Sequence, residues 1–221
     1  MNILFIIGNG FDLNLGLETS YGDFYEWYLE SYDSRKQNVV DFINKINEKK
    51  PYNKLWSCME LALGEYTSYL SSENIVNEYT ELHDNLIEAM SAFIKGKEAT
   101  LDISKISQTL FNQYFISPES YADLKPNDTT YFHNLRQNSV NRATSWGLNI
   151  MSFNYSNSLE KITGFEVGAE VGAFYKNSTG KIKINRVEHI HGTTDDRLII
   201  GVNSQLLLFY EGLHSQLERH Y

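Results

Sequence analysis

At 221 residues the chain has the length of one large domain, or of a core domain carrying a substantial insertion. Its 42% hydrophobic and 14% aromatic content excludes disorder over most of that length, and a formal net charge of −9 argues against nonspecific attachment to a nucleic-acid backbone, which is mostly electrostatic. The single cysteine, Cys58, excludes an intramolecular disulfide and a cysteine-rich zinc site, and fits a reducing, cytoplasmic setting.

The first element is the apolar run Ile3-Leu-Phe-Ile-Ile7, ended by Gly8. Its β-branched and aromatic composition predicts a strand buried on both faces, as in a parallel sheet covered by helices. The run lacks the basic flank and length of a secretory signal, and no stretch approaches the roughly 20 apolar residues that span a bilayer, so a soluble protein is expected.

Residues 18–146 read as helical. Thr19 or Ser20 caps a helix carrying Phe24, Trp27 and Tyr28 on one face. Further helices are predicted over 37–49, 53–70, 73–95, 103–115 and 131–146, punctuated by Pro51, Pro118 and Pro126. Strand-like runs return at 149–153, 186–190 and 197–202, and residues 167–175 with 181–185 suggest a hairpin around Asn177-Ser-Thr-Gly180. The predicted fold class is α/β: a Rossmann-like parallel sheet with a large helical insertion after its first strand unit. Residues 1–17 and 147–221 form the expected nucleotide-binding core, and 18–146 the mainly helical insertion.

Three strand-end constellations carry the candidate chemistry. In the first, Gly8-Asn9-Gly10-Phe11-Asp12, glycines let backbone N–H groups approach a phosphate at a strand-to-helix turn, although a tight structural turn explains them equally well. Leu13 stands where a dinucleotide fingerprint requires glycine or alanine, so an ordinary dehydrogenase is not predicted. Asp12 suits a ribose or water, or else a local Asx turn or helix cap. In the second, Phe153-Asn154-Tyr155-Ser156-Asn157-Ser158-Leu159-Glu160, Asn154 both donates and accepts hydrogen bonds. Ser156 or Asn157 is expected to cap the following helix, with Glu160 completing the cap. In the third, Glu188-His189-Ile190-His191-Gly192, alternation places His189 and His191 on one face. That pair suits a metal less well than a general base or a buried, hydrogen-bonded histidine; His191, nearer the strand end, is the better base. No metal is expected.

These three elements, in this order and with Leu198-Ile-Ile-Gly201 after the last, resemble the AbiH family of bacterial abortive-infection (anti-phage) proteins. The segment Leu55-Trp-Ser-Cys-Met-Glu-Leu-Ala-Leu-Gly64 is similar to that family's aromatic-plus-glutamate motif. The resemblance covers nearly the whole chain and is expected to stop near Val202. AbiH proteins in turn resemble the sirtuin-like NAD-binding superfamily of phage-defence NAD hydrolases. That resemblance implies NAD held at Gly8 and Gly10, Asn154 facing the nicotinamide ribose, and His191 as catalytic base. Three departures stand out: Asn9 and Asp12 replace the small residue and the serine of the usual turn, and Ser156 stands where an aspartate follows Asn-Tyr. Expected catalytic residues are therefore His191 and Asn154. Expected ligand-lining positions are Gly8, Asn9, Gly10, Phe11, Asp12, Asn154, Tyr155, Ser156 and Gly192. The resemblance implies an NAD glycohydrolase; a non-enzymatic nucleotide sensor or protein-interaction module, contacting a phage or host protein through the helical insertion, is the alternative. A homo-oligomer fits either.

Overall fold

In the computed structural model the described residues are 2–49, 59, 62–64, 66, 73–106, 115, 125–141, 145–164, 166–173, 181–196 and 198–200. The chain divides into two units, Met1–Leu17 with Glu98–Thr193, and Glu18–Lys97 with Thr194–Tyr221.

The first unit is built on a mixed sheet. Strands β1 (Asn2–Ile7), β2 (Trp146–Ser152), β3 (Glu170–Ala173) and β4 (Lys181–His189) lie in the order β1-β2-β4-β3. β1, β2 and β4 are mutually parallel, and β3 adds antiparallel to β4. The class is thus α/β with a three-stranded parallel core. The hairpin predicted around 177–180 is present as β3 and β4, while its turn lies outside the described residues.

One face of the sheet carries the core. Ile7, Trp146, Leu148, Ile150, Ile182, Ile184, Leu159 and Phe115 form a buried cluster, with Ile3, Phe5, Phe11 and Val187 packed against it. The rings of Phe5 and Phe115 meet edge-on at 4.9 Å. On the opposite face Leu4 is 54% and Ile6 67% exposed. The expectation that β1 is buried on both faces is therefore corrected: its apolar run is continuous, yet only alternate residues enter the core.

The register between β2 and β4 is irregular at one point. Leu148 pairs with Ile184, but Asn149 pairs with Arg186, so Asn185 is an extra residue on β4. A bulge of one residue inverts the side-chain phase beyond it. Val187 and His189 therefore join Ile182 and Ile184 on the core face, and Arg186 and Glu188 pair with each other away from it. Gly147 on β2 is required by the same neighbourhood, because a Cβ there would collide with the Asn185 amide. That amide donates to Asn2 Oδ1 at 3.4 Å.

Of the helices, α1 (Gly10–Asn14), α5 (Pro126–Asn141) and α6 (Ser158–Thr163) belong to this unit. α6 ends on Gly164, whose positive φ of 63° lets its N–H return to the Glu160 carbonyl at 2.8 Å. The helix predicted over 131–146 is displaced: it starts at the proline and ends at Asn141, and Trp146 opens β2, where its ring fills the core. The strand predicted over 186–190 begins earlier and stops at His189, and Leu198–Ile200, expected in a strand, are not in one.

The second unit is helical: α2 (Tyr21–Ser31), α3 (Gln37–Lys49) and most of α4 (Glu73–Ala99). Ser20 caps α2, accepting from the Asp23 N–H at 3.2 Å while Asp23 accepts from the Ser20 N–H at 3.0 Å. The face read from the sequence is buried through Phe24 and Tyr28, with the rings of Phe24 and Phe93 packing edge-on at 5.6 Å. Of the helix expected over 53–70, Met59, residues 62–64 and Tyr66 are helical and the rest lies outside the described residues. The 103–115 prediction gives a short 3-10 turn, Ile103–Lys105, with 107–114 outside the described residues.

Candidate functional site

The three strand-end constellations meet because their strands end level. Ile7 on β1 is in register with Ser152 on β2, and Ser152 with His189 on β4. The backbones stay paired one step further: the Phe153 N–H donates to the Ile7 carbonyl at 2.8 Å, and the Ile190 N–H to the Ser152 carbonyl at 2.9 Å. Loops 8–12, 153–158 and 190–192 thus leave one edge, the carboxyl end of the parallel strands, where ligands of α/β sheets bind.

At the glycine turn, the Phe11 N–H donates to the Gly8 carbonyl at 2.9 Å and α1 begins at once. Asn9 occupies the N-cap position with a helical backbone and makes no side-chain capping bond. A Cβ at Gly8 or Gly10 would meet nothing within 4 Å, and neither residue has positive φ. Among the described residues, then, neither a positive φ nor a close neighbour requires glycine at these two positions, and the backbone there is open. Phe11 packs against the sheet core.

Asp12 lies underneath, 1% exposed. Its carboxylate accepts from Ser156 Oγ at 2.6 Å and from Ser158 Oγ, and the two serine oxygens are 2.9 Å apart. Burial pushes the Asp12 carboxyl above its usual range; the two hydroxyls and the Asn154 amide pull it back in part, and the nearby charge of Glu98 pushes it further up. Asp12 is thus neither an Asx turn nor a cap but a buried tie between the glycine turn and the second loop. The cap expected from Ser156 or Asn157 is absent as well. Ser156 is committed to Asp12, Asn157 makes no side-chain cap, and the Asn157 N–H goes to the buried carboxylate of Glu98. Glu98 also holds Lys161 of α6 at 2.7 Å.

Asn154 is 2% exposed and held on three sides. Its N–H donates to Ser152 Oγ at 3.2 Å, its carbonyl faces His189 Nδ1 at 3.3 Å, and its side-chain amide bonds to Asp12. Its remaining polar atom, Oδ1, is buried and has no hydrogen-bond partner among the described residues. Tyr155, 1% exposed, lies against the His191 ring at 5.4 Å, and Phe153, 39% exposed, approaches the same ring at 5.7 Å.

The two histidines do not share a strand face. β4 ends at His189, and Ile190 and His191 form a turn closed by the Gly192 N–H to the His189 carbonyl at 3.3 Å. Gly192, at φ 69°, has a conformational reason to be glycine. Alternation therefore fails at Ile190, and the rings part: His191 goes to the aromatic pair, while His189 points its Nε2 at Glu160 Oε1, 2.7 Å away. Burial pulls the His189 imidazole down, but the hydrogen bond and charge of Glu160, the Asn154 carbonyl and the charge of Asp12 outweigh it, so its pKa is raised. Among the described residues no group of three or more His, Cys, Asp or Glu side chains is placed to hold a metal ion.

Sequence reasoning missed Glu98, Ser158 and Lys161, and gave Glu160 only a capping role. Ser158 and Glu160 stood within the second motif, but their partners Asp12 and His189 are tertiary. Glu98 carried no local signal.

No curated protein and no solved structure matches the chain. Among the described residues no helix is long and apolar enough to cross a membrane. A family model described as "Bacteriophage abortive infection AbiH" matches residues 4–219, beyond Val202, where the resemblance was expected to stop. The match takes in all three strand-end loops, and the chain belongs to the bacteriophage abortive infection AbiH family.

Proposed function

We propose that this AbiH-family protein acts in abortive infection by binding NAD or a closely related nucleotide at the carboxyl edge of β1, β2 and β4, and by cleaving its nicotinamide–ribose bond. The observation that carries the reading is the level ending of Ile7, Ser152 and His189, which delivers all three loops to one edge. Two features fit a nucleotide there. Gly8 and Gly10 offer open backbone to a phosphate. Asn154 Oδ1 is a buried acceptor with no donor among the described residues, the complement of a ribose hydroxyl or an oriented water. Two of the three departures from the sirtuin-like pattern are compatible with this reading, because Asp12 and Ser156 are hydrogen-bonded to each other, as an exchanged pair would be. In this reading His191 accepts the proton from the hydroxyl or water that Asn154 orients. The test is nicotinamide release from NAD by wild type and by His191→Ala under activating conditions. Loss in the variant is expected; equal release, or none from an activated wild type, rejects the enzyme.

A second reading, a sensor that binds the nucleotide without turnover and signals to a phage or host protein, is favoured by one observation. Asp12 and His189 are both engaged by internal partners, so neither is placed to take a proton from a ligand. Calorimetry with NAD and ADP-ribose separates the two: heat of binding without nicotinamide release favours the sensor.

A further inference from the structure

We propose that His189 and Glu160 are the positioning pair of this site: the His189 ring, bonded at both nitrogens, bridges Glu160 of α6 to the Asn154 carbonyl and so fixes where Asn154 presents its unpartnered Oδ1. The assignment deepens the nucleotide reading and rests on it for the identity of the ligand, but not for the bridge itself.

The bridge follows from what each nitrogen faces. Nδ1 meets a backbone carbonyl at 3.3 Å and Nε2 meets a carboxylate oxygen at 2.7 Å. A carbonyl can only accept, so Nδ1 donates to it; where the Glu160 oxygen is that of a carboxylate, Nε2 donates as well, and only the imidazolium has two N–H groups. The raised pKa of His189 agrees with that form. The charged groups acting on the ring are Glu160 on α6 and Asp12 on α1, with Glu98 of α4 acting in turn on Asp12. A doubly donating histidine is a poor general base, which separates its role from that of His191.

The bridge has something to position. The Asn154 backbone is pinned at its N–H by Ser152 and at its carbonyl by His189, and its side-chain amide is pinned by Asp12. Three anchors define the direction of the fourth polar atom, and supports of this kind set the geometry of a ligand-facing group. The bulge at Asn185 is what turns His189 toward the core-facing side of the sheet, so the position of one extra residue on β4 decides whether the bridge exists.

The experiment uses the full chain with 15N-labelled histidine and asparagine. The expected result near neutral pH is a His189 spectrum with both ring nitrogens protonated. The Asn154 side-chain amide should move with the same midpoint as pH is raised. Glu160→Gln, which keeps the side-chain shape, should lower that midpoint and carry the Asn154 signal with it. In calorimetry with NAD, Glu160→Gln should weaken binding about tenfold, the scale of a hydrogen bond to a charged group, and wild-type affinity should fall with the same midpoint as pH rises. One bare ring nitrogen on His189, an Asn154 amide indifferent to the titration, or unchanged NAD affinity in Glu160→Gln would each overturn the assignment. If wild type takes no NAD while the amide still follows His189, the nucleotide reading falls and the positioning pair stands. The wild-type titration needs no variant, so misfolding of Glu160→Gln does not shield the proposal.

Discussion

Two buried asparagines, one in each unit, differ in how far their side-chain amides are satisfied. In the helical unit Asn85, 5% exposed, has both ends of its amide satisfied: Oδ1 accepts from the Tyr28 hydroxyl at 2.6 Å, and Nδ2 donates to the Ser34 carbonyl at 3.3 Å. The same tyrosine oxygen accepts from the Lys36 N–H at 3.0 Å, so α2, the segment before α3, and α4 are joined through one closed network. In the sheet unit Asn154 is as deeply buried, yet among the described residues its Oδ1 has no partner, and neither has Oε2 of Glu160. A buried acceptor left unmade costs about 1–3 kcal/mol. The first asparagine is thus accounted for by architecture, while the open acceptor of the second supports the ligand-facing role proposed for it.

The largest effect should come from the helical unit. Phe24→Ala removes a fully buried ring from between Tyr28, Trp27 and Phe93, and should cost about 3–5 kcal/mol in urea unfolding while leaving the NAD affinity of the folded protein intact. A proportional loss of affinity would break the division of labour. Next comes the asparagine pair itself. Asn85→Ala strands the Tyr28 hydroxyl and should cost about 1–3 kcal/mol. Asn154→Ala takes one donor from Asp12 but also removes the unpaired acceptor, so its stability should stay within about 1 kcal/mol of wild type while NAD heat disappears. Equal destabilisation by both substitutions would erase the contrast.

Much of the sheet was legible in the sequence because β-branched and aromatic runs declare strands without help. The α3 boundaries and the Ser20 cap were equally local. What stayed hidden depends on partners distant in the chain. The bulge at Asn185 is defined only against β2, so the phase of His189 could not be read from alternation alone. The helical spacing after Tyr131 ran on into Trp146, whose ring belongs to a strand and to the sheet core. Ser156, Ser158 and Glu160 have the composition of a helix cap, and only the fold shows that Asp12 and His189 claim them first. The strand-end loops were therefore visible in the sequence, and the internal bonds that their side chains make were not.

The smallest effect is the most specific to the sheet unit. The His189 pKa lies above the ordinary imidazole value of 6.5, so the stability it confers is fully present below about pH 6.5 and is lost as pH rises through the raised value. Asp12 is also raised, but from 3.8, so its contribution is complete only below about pH 3.8 and fades through its own, raised value. The two carry the same sign, and each fades over its own interval above these starting points. Because the His189–Glu160 pair is part-exposed, with side chains 11% and 31% accessible, solvent screening should hold its contribution below about 1 kcal/mol. Urea unfolding of wild type and His189→Gln between pH 5.5 and 9 should show the wild-type advantage widest at the acid end and closing as the imidazolium discharges. The helical unit's Tyr28–Asn85 network holds no group that titrates in this interval, so Asn85→Ala should show no such closing. A wild-type advantage over His189→Gln that stays constant or grows with pH would mean that His189 is held neutral, and that Asn154 is pinned without help from its charge.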